Sequence, residues 1–403
     1  MTAMETAPAI TTAPIWPRGF TAASVSAGIK PSGAPDMALL RMDAGASAAA
    51  MFTTNQFAAA PIQASRRNLR DSRGHCSALI INSGCANAAT GAEGAADAES
   101  IIDAVAAACD CAPAAVLTNS TGVIGKRLPI QSMLKAIPAL AAACTDGSCE
   151  PFERGIMTTD TQPKMSTRTL AAADGGTIRV TGVAKGAGMI HPNMATMIVA
   201  ITTDAEATPA ELDGMLRHAV DRSFHRISID GDTSTNDAVF AFASGQAGAP
   251  ADRKALQKAL DEVAGDLARA VVQDGEGFTR GLEVRVRGAA SADDALLLAR
   301  TVATSTLVRC AVTGGDPNWG RIVAAAGRSG AKLDPESLVV RTGGLTLFKD
   351  GAPVTVDKAA VEKAFAQPNV VVELDVGLGA GSDFFLSSGL TEAYVRLNAD
   401  YTT

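Results

Sequence analysis

Residues 185–205 read KGAGMIHPNMATMIVAITTDA. Glycine steps and a His-Pro turn lead to Ala195 and Thr196, and the apolar run 197–202 that follows predicts a buried strand. A hydroxyl at the first position of such a strand has a rigid mount, which suits a reacting group. Thr196 is therefore the leading candidate for a functional residue.

The rest of the chain alternates between strand and helix patterns. Runs rich in β-branched residues predict strands at 78–82, 115–119, 177–184, 239–243, 282–286 and 370–376. Apolar residues three or four apart predict helices at 95–110, 130–144, 208–220, 253–272 and 357–366. The helix at 208–220 opens with Thr208, Pro209 and Glu211, the pattern of a capping box. The irregular alternation favours an α/β fold with a layered mixed sheet over a doubly wound fold.

Composition narrows the classes of partner. The chain has 403 residues, of which 47% are hydrophobic and 19% charged, and its net charge is -7. These values indicate a globular protein and argue against nucleic acid or an anionic membrane as a partner, so small metabolites are the expected ligands. Seven cysteines, an odd number without the usual zinc spacing, are expected to be free thiols. Without a secretory signal or a long apolar run, the predicted location is the cytoplasm.

Three polar, glycine-containing loops at 82–91, 119–125 and 230–237 follow or precede predicted strands, where functional sites are common. The last loop holds three aspartates, but Thr235 and Ala241 stand where a calcium-binding loop needs Gly and Glu. A turn packed beside a site is the favoured interpretation. The sequence GLGAGS at 377–382 fails the dinucleotide-binding pattern at its last position. No metal site is predicted.

A nucleophilic Thr196 needs a base within hydrogen-bond reach, and the sequence offers no evident His-Asp pair. Cleavage of the chain before Thr196 would supply one, because the new α-amine has a pKa near 7.7–8. The threonine oxygen would attack the carbonyl of Ala195, and water would hydrolyse the resulting ester. Such a cut would give two chains, residues 1–195 and residues 196–403, called α and β below.

Motifs in the same order along nearly the whole chain resemble those of the ornithine acetyltransferase family, also called glutamate N-acetyltransferases or bifunctional arginine biosynthesis proteins. These are FTTN at 52–55, AP at 60–61, NSTGVIG at 119–125, MTTDT at 157–161 with Lys164, KGAGMIHPNMATM at 185–197, ISIDGDTSTND at 227–237, DGEG at 274–277, DPNWGRI at 316–322 and NADYTT at 398–403. Cys85 and the segment 385–390 depart from the usual pattern.

The resemblance implies roles for individual residues. It implies self-cleavage between Ala195 and Thr196, with Thr196 as the acetyl-accepting nucleophile. It places the oxyanion hole at the Thr121 hydroxyl and the Gly122 backbone N–H, which are suitable donors for a tetrahedral intermediate. The implied substrate-binding residues are Thr159, Lys185, Thr196, Glu276, Asn398 and Thr403. Lys185 is a plausible partner for the α-carboxylate shared by ornithine and glutamate.

The reaction implied is transfer of an acetyl group from N2-acetyl-L-ornithine to L-glutamate through an acetyl-threonine enzyme. No cofactor is expected, although some family members use acetyl-CoA as a second donor. The family also implies a heterotetramer of two α and two β chains. Three alternatives stay open: an N-terminal-nucleophile amidase or peptidase, an acyltransferase paralogue of a secondary pathway, and a relative that only binds ligands.

Overall fold

The computed structural model describes residues 14–191 and 197–400. Within them the chain divides into two units. The larger unit comprises the described residues of Ala9–His225 and Asp232–Val271, and the smaller unit those of Arg226–Gly231 and Val272–Tyr401. The predicted cleavage point at 195–196 is a different kind of boundary, because it lies inside the stretch that forms the larger unit.

The strands in chain order are β1 (Phe20–Val25), β2 (Met37–Phe52), β3 (His75–Cys85), β4 (Val116–Val123), β5 (Lys164–Ala171), β6 (Thr177–Lys185), β7 (Ile198–Thr203), β8 (Ala238–Ala243), β9 (Gly281–Ala289), β10 (Val339–Thr342), β11 (Leu345–Lys349), β12 (Ala352–Pro353), β13 (Asn369–Asp375) and β14 (Gly381–Ser388). The helices are α1 (Ala60–Asp71), α2 (Gly91–Cys109), α3 (Ile130–Ala142), α4 (Glu150–Ile156), α5 (Pro209–Asp221), α6 (Arg253–Gln273), α7 (Ala292–Ala303), α8 (Thr306–Gly314), α9 (Trp319–Gly327), α10 (Lys358–Phe365) and α11 (Glu392–Asp400).

The larger unit is built on one mixed sheet with the strand order β4-β3-β2-β8-β7-β6-β5, and β1 pairs with β2. The pairs β3–β4 and β7–β8 are parallel. The other neighbours are antiparallel. The two strands of a parallel pair begin at the same edge of the sheet, so β7 and β8 begin side by side.

Both faces of this sheet are covered by apolar residues. On β2, Ala38 and Leu40 contribute to one buried cluster, while Met37 and Leu39 contribute to another. This alternation is the period-two pattern of a strand buried on both faces. The sheet therefore lies inside the unit, and residues at its strand ends are the ones available to a site.

The smaller unit has its own mixed sheet, in the order β12-β11-β10-β13-β9-β14, with β9 and β13 parallel. Its core combines residues of these strands with residues of α7, α8, α9 and α10, such as Leu298, Val312, Ile322 and Phe365. Two mixed sheets with associated helices confirm the predicted α/β class with mixed sheets.

Each strand and helix predicted from the sequence is present, with ends shifted by a few residues. The capping box is also confirmed, since the Thr208 side chain accepts from the Glu211 backbone N–H while the Glu211 side chain accepts from the Thr208 backbone N–H. Two loop predictions were wrong in extent. β3 continues to Cys85, into the predicted loop 82–91, and β4 continues to Val123, so Thr121 and Gly122 lie on a strand rather than in a loop. Parallel pairing with β3 through residues 119–122 keeps this stretch extended.

The seven cysteines are all free thiols, as expected, and Cys310 is exposed. In the part of the chain that the structure describes, no single helix has the length and apolar character to cross a membrane. One bent pair, α7 with α8, passes by length and composition only. Both of its helices contribute buried residues to the core of the smaller unit, for example Leu298 and Val312.

Candidate active site

Thr121 and Gly122 lie near the end of β4, beside the end of β3. Gly122 pairs with Gly84, and the register shifts at Cys85, which pairs with both Thr121 and Val123. Such an irregularity re-aims the groups at a strand end and is common beside active sites. Gly122 has φ +129°, and a Cβ there would lie 2.4 Å from the carbonyl carbon of Gly84. Only glycine allows this approach of the two backbones.

The buried Thr121 hydroxyl is held by Lys185, the last residue of β6. The Lys185 Nζ donates to Thr121 Oγ1 over 3.2 Å, and both side chains are almost fully buried. Because the threonine oxygen accepts this charge-assisted bond, its own proton stays available to donate elsewhere. The structure thus brings together two residues whose roles were predicted separately, an oxyanion donor and a substrate-binding lysine.

Asp160 joins the turn after α4 to the end of β6. Its Oδ1 accepts from Lys164 Nζ at 2.6 Å and from the Gly186 backbone N–H at 2.6 Å. Its Oδ2 accepts from the Thr158 backbone N–H at 2.9 Å. Thr159, a predicted substrate-binding residue, lies between Thr158 and Asp160 and is half-buried. The Asp160 contacts therefore tie the turn that carries Thr159 to the strand end that carries Lys185.

The pKa values of the charged side chains around Asp160 depend on one another. Burial alone would raise the pKa of Asp160, but the charges of Lys185 and Lys164 and the hydrogen bond from Lys164 outweigh it and hold the pKa well below its usual range. The neighbouring Glu153 is fully buried, and burial together with the charge of Asp160 raises its pKa to about 8. At neutral pH Glu153 is therefore mostly uncharged, and two ammonium groups face one carboxylate. The surplus positive charge favours an anionic ligand.

The first described residue after the predicted cleavage site is Met197. Ala195 and Thr196 lie outside the described residues, and Met197 immediately precedes β7. Its backbone N–H donates to Asp237 Oδ1 over 3.1 Å, and its carbonyl accepts from the Ala238 backbone N–H at 3.1 Å. The residue after Thr196 is thus fixed to the start of β8. In the loop 230–237, the Asn236 backbone N–H donates to Ser234 Oγ, so a serine closes the turn there.

The remaining predicted substrate residues belong to the smaller unit. Glu276 follows α6 in a turn, and Asn398 is on α11. The Asn398 Nδ2 donates to Glu276 Oε2 over 2.8 Å, so two of the predicted substrate residues contact each other. Thr403 lies outside the described residues.

Sequence reasoning missed the functional placement of Asp160, Lys164 and Asp237. All three stand within quoted motifs, but a motif does not say which polar residues are buried. The available signal was position next to a strand. Asp237 immediately precedes the apolar strand β8, Lys164 is the first residue of β5, and Asp160 stands four residues before β5. Burial at such a position forces a charged residue to find partners.

The family model for ArgJ matches residues 21–403. The arginine biosynthesis bifunctional protein ArgJ of Nitratidesulfovibrio vulgaris is 46% identical over 389 residues, covering 96% of this chain and 98% of that protein. Its namesake from Thermosynechococcus vestitus is 44% identical over 407 residues, covering 96% and 97%. A solved structure of ornithine acetyltransferase complexed with ornithine, from Mycobacterium tuberculosis, is 40% identical and covers 44% of this chain and 92% of that chain, with a TM-score of 0.40.

The family match spans nearly the whole chain, and the curated relatives are matched over nearly their whole length. These findings confirm the resemblance that the motifs indicated, and with it an acetyl-transferring enzyme of arginine biosynthesis. The chain belongs to the ArgJ family.

Proposed function

We propose that this enzyme transfers the acetyl group of N2-acetyl-L-ornithine to L-glutamate through an acetyl ester on Thr196. The observation that carries the proposal is the buried bond from Lys185 Nζ to Thr121 Oγ1. It presents a polarised hydroxyl donor and a cation at the strand ends β4 and β6, and β6 is the sheet neighbour of β7, before which Thr196 stands. An acyl transfer between amino acids needs these two groups, one for the oxyanion and one for a carboxylate.

The first step is self-cleavage. The Thr196 hydroxyl attacks the carbonyl carbon of Ala195, the C–N bond to Thr196 breaks, and the acyl group moves from nitrogen to oxygen. Water then hydrolyses the ester, which leaves a carboxylate on Ala195 and a free α-amine and hydroxyl on Thr196. The products are the chains 1–195 and 196–403.

The acetyl transfer then runs in two displacements. The α-amine of Thr196 takes the Oγ–H proton as Oγ attacks the acetyl carbonyl carbon, and the Thr121 hydroxyl and the Gly122 N–H stabilise the oxyanion. The C–N bond breaks, the proton passes to the departing nitrogen, and ornithine leaves. The amine of glutamate then attacks the ester, the C–O bond breaks, and the proton returns to Oγ.

Substrate binding uses the positive surplus at the cluster of Asp160, Lys164 and Lys185. We assign the shared α-carboxylate of ornithine and glutamate to Lys185 and the neighbouring Thr159. Glu276 and Asn398, already joined at 2.8 Å, are assigned to the substrate as a polar pair. Thr403 completes the set in the proposal.

The decisive test combines intact-mass measurement with an acceptor assay. We expect wild type to give two chains, 1–195 and 196–403, and Thr196→Ala to give one uncut chain without activity. With N-acetylornithine alone, ornithine release should stop after one equivalent per site; with glutamate present, it should continue. An uncut but active wild-type chain would overturn the proposal.

The same assay separates the alternative of an amidase or peptidase, in which water accepts the acetyl group. That enzyme would release ornithine continuously at a rate independent of glutamate. A paralogue of another pathway would instead prefer a different acyl donor, and a ligand-binding relative would release none.

The oxyanion assignment has its own test. Thr121→Val keeps the shape of the side chain but removes the hydroxyl, and we expect kcat to fall about 10²–10³-fold with little change in KM for N-acetylornithine. Thr118→Val, on the same strand, is the matched control and should keep kcat within about twofold. An unaltered kcat in Thr121→Val would remove Thr121 from the oxyanion hole.

We extend the proposal to four further properties. The reaction needs no cofactor, because the ester stores the acetyl group. Acetyl-CoA serves as a second donor; the two curated relatives are named bifunctional, and a second donor would supply a second activity. The mature enzyme is a heterotetramer of two α and two β chains, and it acts in the cytoplasm. Acetylation of glutamate by acetyl-CoA without N-acetylornithine, and the mass of the native assembly, test the second and third.

A further inference from the structure

Asp237 is a fully buried carboxyl group immediately before β8. Its Oδ1 accepts from the Met197 backbone N–H over 3.1 Å. The Thr53 hydroxyl is a neighbour, but it gives its single proton to the Ser234 carbonyl oxygen 2.6 Å away. Among the described residues the second carboxylate oxygen, Oδ2, has no hydrogen-bond partner. A buried polar atom in this condition is rare in native proteins and calls for a partner.

Burial dominates the environment of the Asp237 carboxyl group. Burial raises the pKa of its carboxyl group well above the usual range, against the opposing effects of the Met197 N–H, the charge of Lys185, the Ser234 N–H and the neighbouring Thr53 hydroxyl. A buried acid of this kind is stabilised in its ionised form when a positive group comes into hydrogen-bond contact. The uncut chain offers no such group on the backbone, because a peptide nitrogen is neutral.

The position of Asp237 relative to the cleavage site is fixed by the sheet. β7 and β8 are parallel, and Ile198 pairs with Ala238. The carboxyl group is therefore held beside the first peptide after Thr196. Three covalent bonds separate the Met197 nitrogen from the α-nitrogen of Thr196, and four separate it from Oγ. Both reacting atoms are thus joined by short covalent paths to the nitrogen whose N–H the Asp237 carboxylate accepts from.

We propose that Asp237 is the positioning residue for the α-amine of Thr196. Oδ1 holds the Met197 N–H, and Oδ2 accepts a hydrogen bond from the α-nitrogen that cleavage creates. This inference rests on the proposed function, since it concerns the amine of a cleaved Thr196. It adds a residue that sets where the amine points and hence whether the amine can take the Oγ–H proton.

The proton balance of the reaction is unchanged by this role. The amine takes the Oγ–H proton when Oγ attacks, and it returns that proton to the leaving nitrogen. While the amine is an ammonium group, Oδ2 accepts a hydrogen bond from one of its N–H groups, and the carboxylate charge balances the ammonium charge. Asp237 itself neither gains nor loses a proton in the cycle.

The test uses Asp237→Asn in the full-length chain. The amide keeps an oxygen for the Met197 N–H, but its nitrogen can only donate and cannot accept from the α-amine. The matched control is Asp204→Asn at the other end of β7. Asp204 is also buried and accepts from a backbone N–H, that of Arg179, at 2.7 Å. Both variants are measured for self-cleavage by intact mass, for kcat and KM, and for thermal unfolding.

For Asp237→Asn we expect self-cleavage to proceed, because the amide oxygen still accepts from the Met197 N–H and the α-amine forms only after the cut. The kcat of the cleaved enzyme should fall at least about 10-fold, with KM for N-acetylornithine within about threefold of wild type. Asp204→Asn should lose thermal stability but keep its cleavage rate and kcat. A kcat for Asp237→Asn equal to that of wild type would overturn the proposal, as would an equal loss of kcat in both variants.

A second variant covers the case in which Asp237→Asn does not fold. Asp237→Ser is small enough to avoid overpacking and keeps one acceptor, and the same outcomes apply to it. If both fail to fold while Asp204→Asn folds, Asp237 has a structural role only, and the proposal is wrong. Failure of the proposed function is a separate result: wild type itself would remain uncut or would not transfer acetyl groups.

Discussion

Gly122 combines two requirements at one position. Its backbone N–H is the predicted oxyanion donor, and its φ of +129° with the close approach to Gly84 excludes any side chain. A motif that contains glycine is therefore explained here by packing as well as by chemistry. The same holds for Thr121, whose hydroxyl both accepts from Lys185 and remains able to donate.

Gly122→Ala should disturb β4, because its Cβ would meet the backbone of β3 at 2.4 Å. We expect a loss of about 1–3 kcal/mol in the free energy of unfolding, together with impaired self-cleavage. Gly125→Ala is the control, since Gly125 also has positive φ, at +77°, but open space around its Cβ position. Urea unfolding of both variants separates the clash from the backbone strain. Equal losses would show that the contact with Gly84 is relaxed at little cost.

Glu153 gives the enzyme a stability that depends on pH. Its pKa is about 8 in the folded chain against an ordinary 4.5, so the folded state binds a proton that the unfolded state releases within this window. Stability contributed by this group is therefore lost as pH rises from about 4.5 to about 8. Glu153→Gln, which stays neutral, should exceed wild type in free energy of unfolding by a few kcal/mol, to order of magnitude, at pH 9, and the gap should narrow toward pH 5.

The control for this titration is Glu150→Gln on the same helix. Glu150 is only partly buried and pairs with Arg154, so its replacement should leave the slope of stability against pH as in wild type. A parallel slope in Glu153→Gln and wild type would show that Glu153 is ionised in the folded protein at neutral pH.

Among the helices, α5 has the most complete N-terminal signal. The capping box of Thr208 and Glu211 satisfies backbone N–H groups that would otherwise lack partners. Thr208→Ala should reduce the free energy of unfolding by about 1 kcal/mol without altering kcat. Ser305→Ala at the start of α8 is the control, because Ser305 makes no side-chain capping bond, and it should cost less. Chemical denaturation of the two variants checks the difference.

The strands and helices differ in how well the sequence alone predicts them. α5 and the strands β7 and β13 were predictable, because caps and β-branched runs are local signals. β2 was not predicted: its sequence MALLRMDAGASAAAMF is rich in alanine, which has no strong strand preference. Its extended form depends on pairing with β1, β3 and β8, which only the tertiary fold supplies. The short strands β10, β11 and β12 are likewise defined by their partners.

For the site, the motifs predicted which residues matter but not how they contact one another. Lys185 was assigned to a substrate carboxylate, and only the structure shows that it also holds Thr121. The roles of Asp160 and Asp237 depend on burial and on register across the sheet, neither of which spacing along the chain encodes. Thr196, Ala195 and Thr403 stay predictions, since they lie outside the described residues.

At the scale of the whole molecule, the predicted cut passes through one continuous sheet. The α chain would contain β2 and β6, and the β chain would contain β7 and β8, which lie between them in the order β2-β8-β7-β6. Hydrogen bonds on both sides of the β7–β8 pair would therefore join the two products. We expect them to co-elute on native size exclusion, including at nanomolar concentration, and to separate only in denaturant. Separate elution under native conditions would contradict this arrangement.

Because one sheet contains strands of both products, cleavage changes how an unfolded molecule can refold. The uncut chain can fold as a single body, at a rate that does not depend on how many copies are present. After scission, a molecule that unfolds loses its connectivity and must regain its partner by collision, so its recovery becomes a second-order process that slows on dilution. Cleavage would therefore make the refolding rate depend on protein concentration. The uncut chain folds readily at any dilution, whereas the cleaved enzyme, once unfolded in dilute solution, refolds slowly.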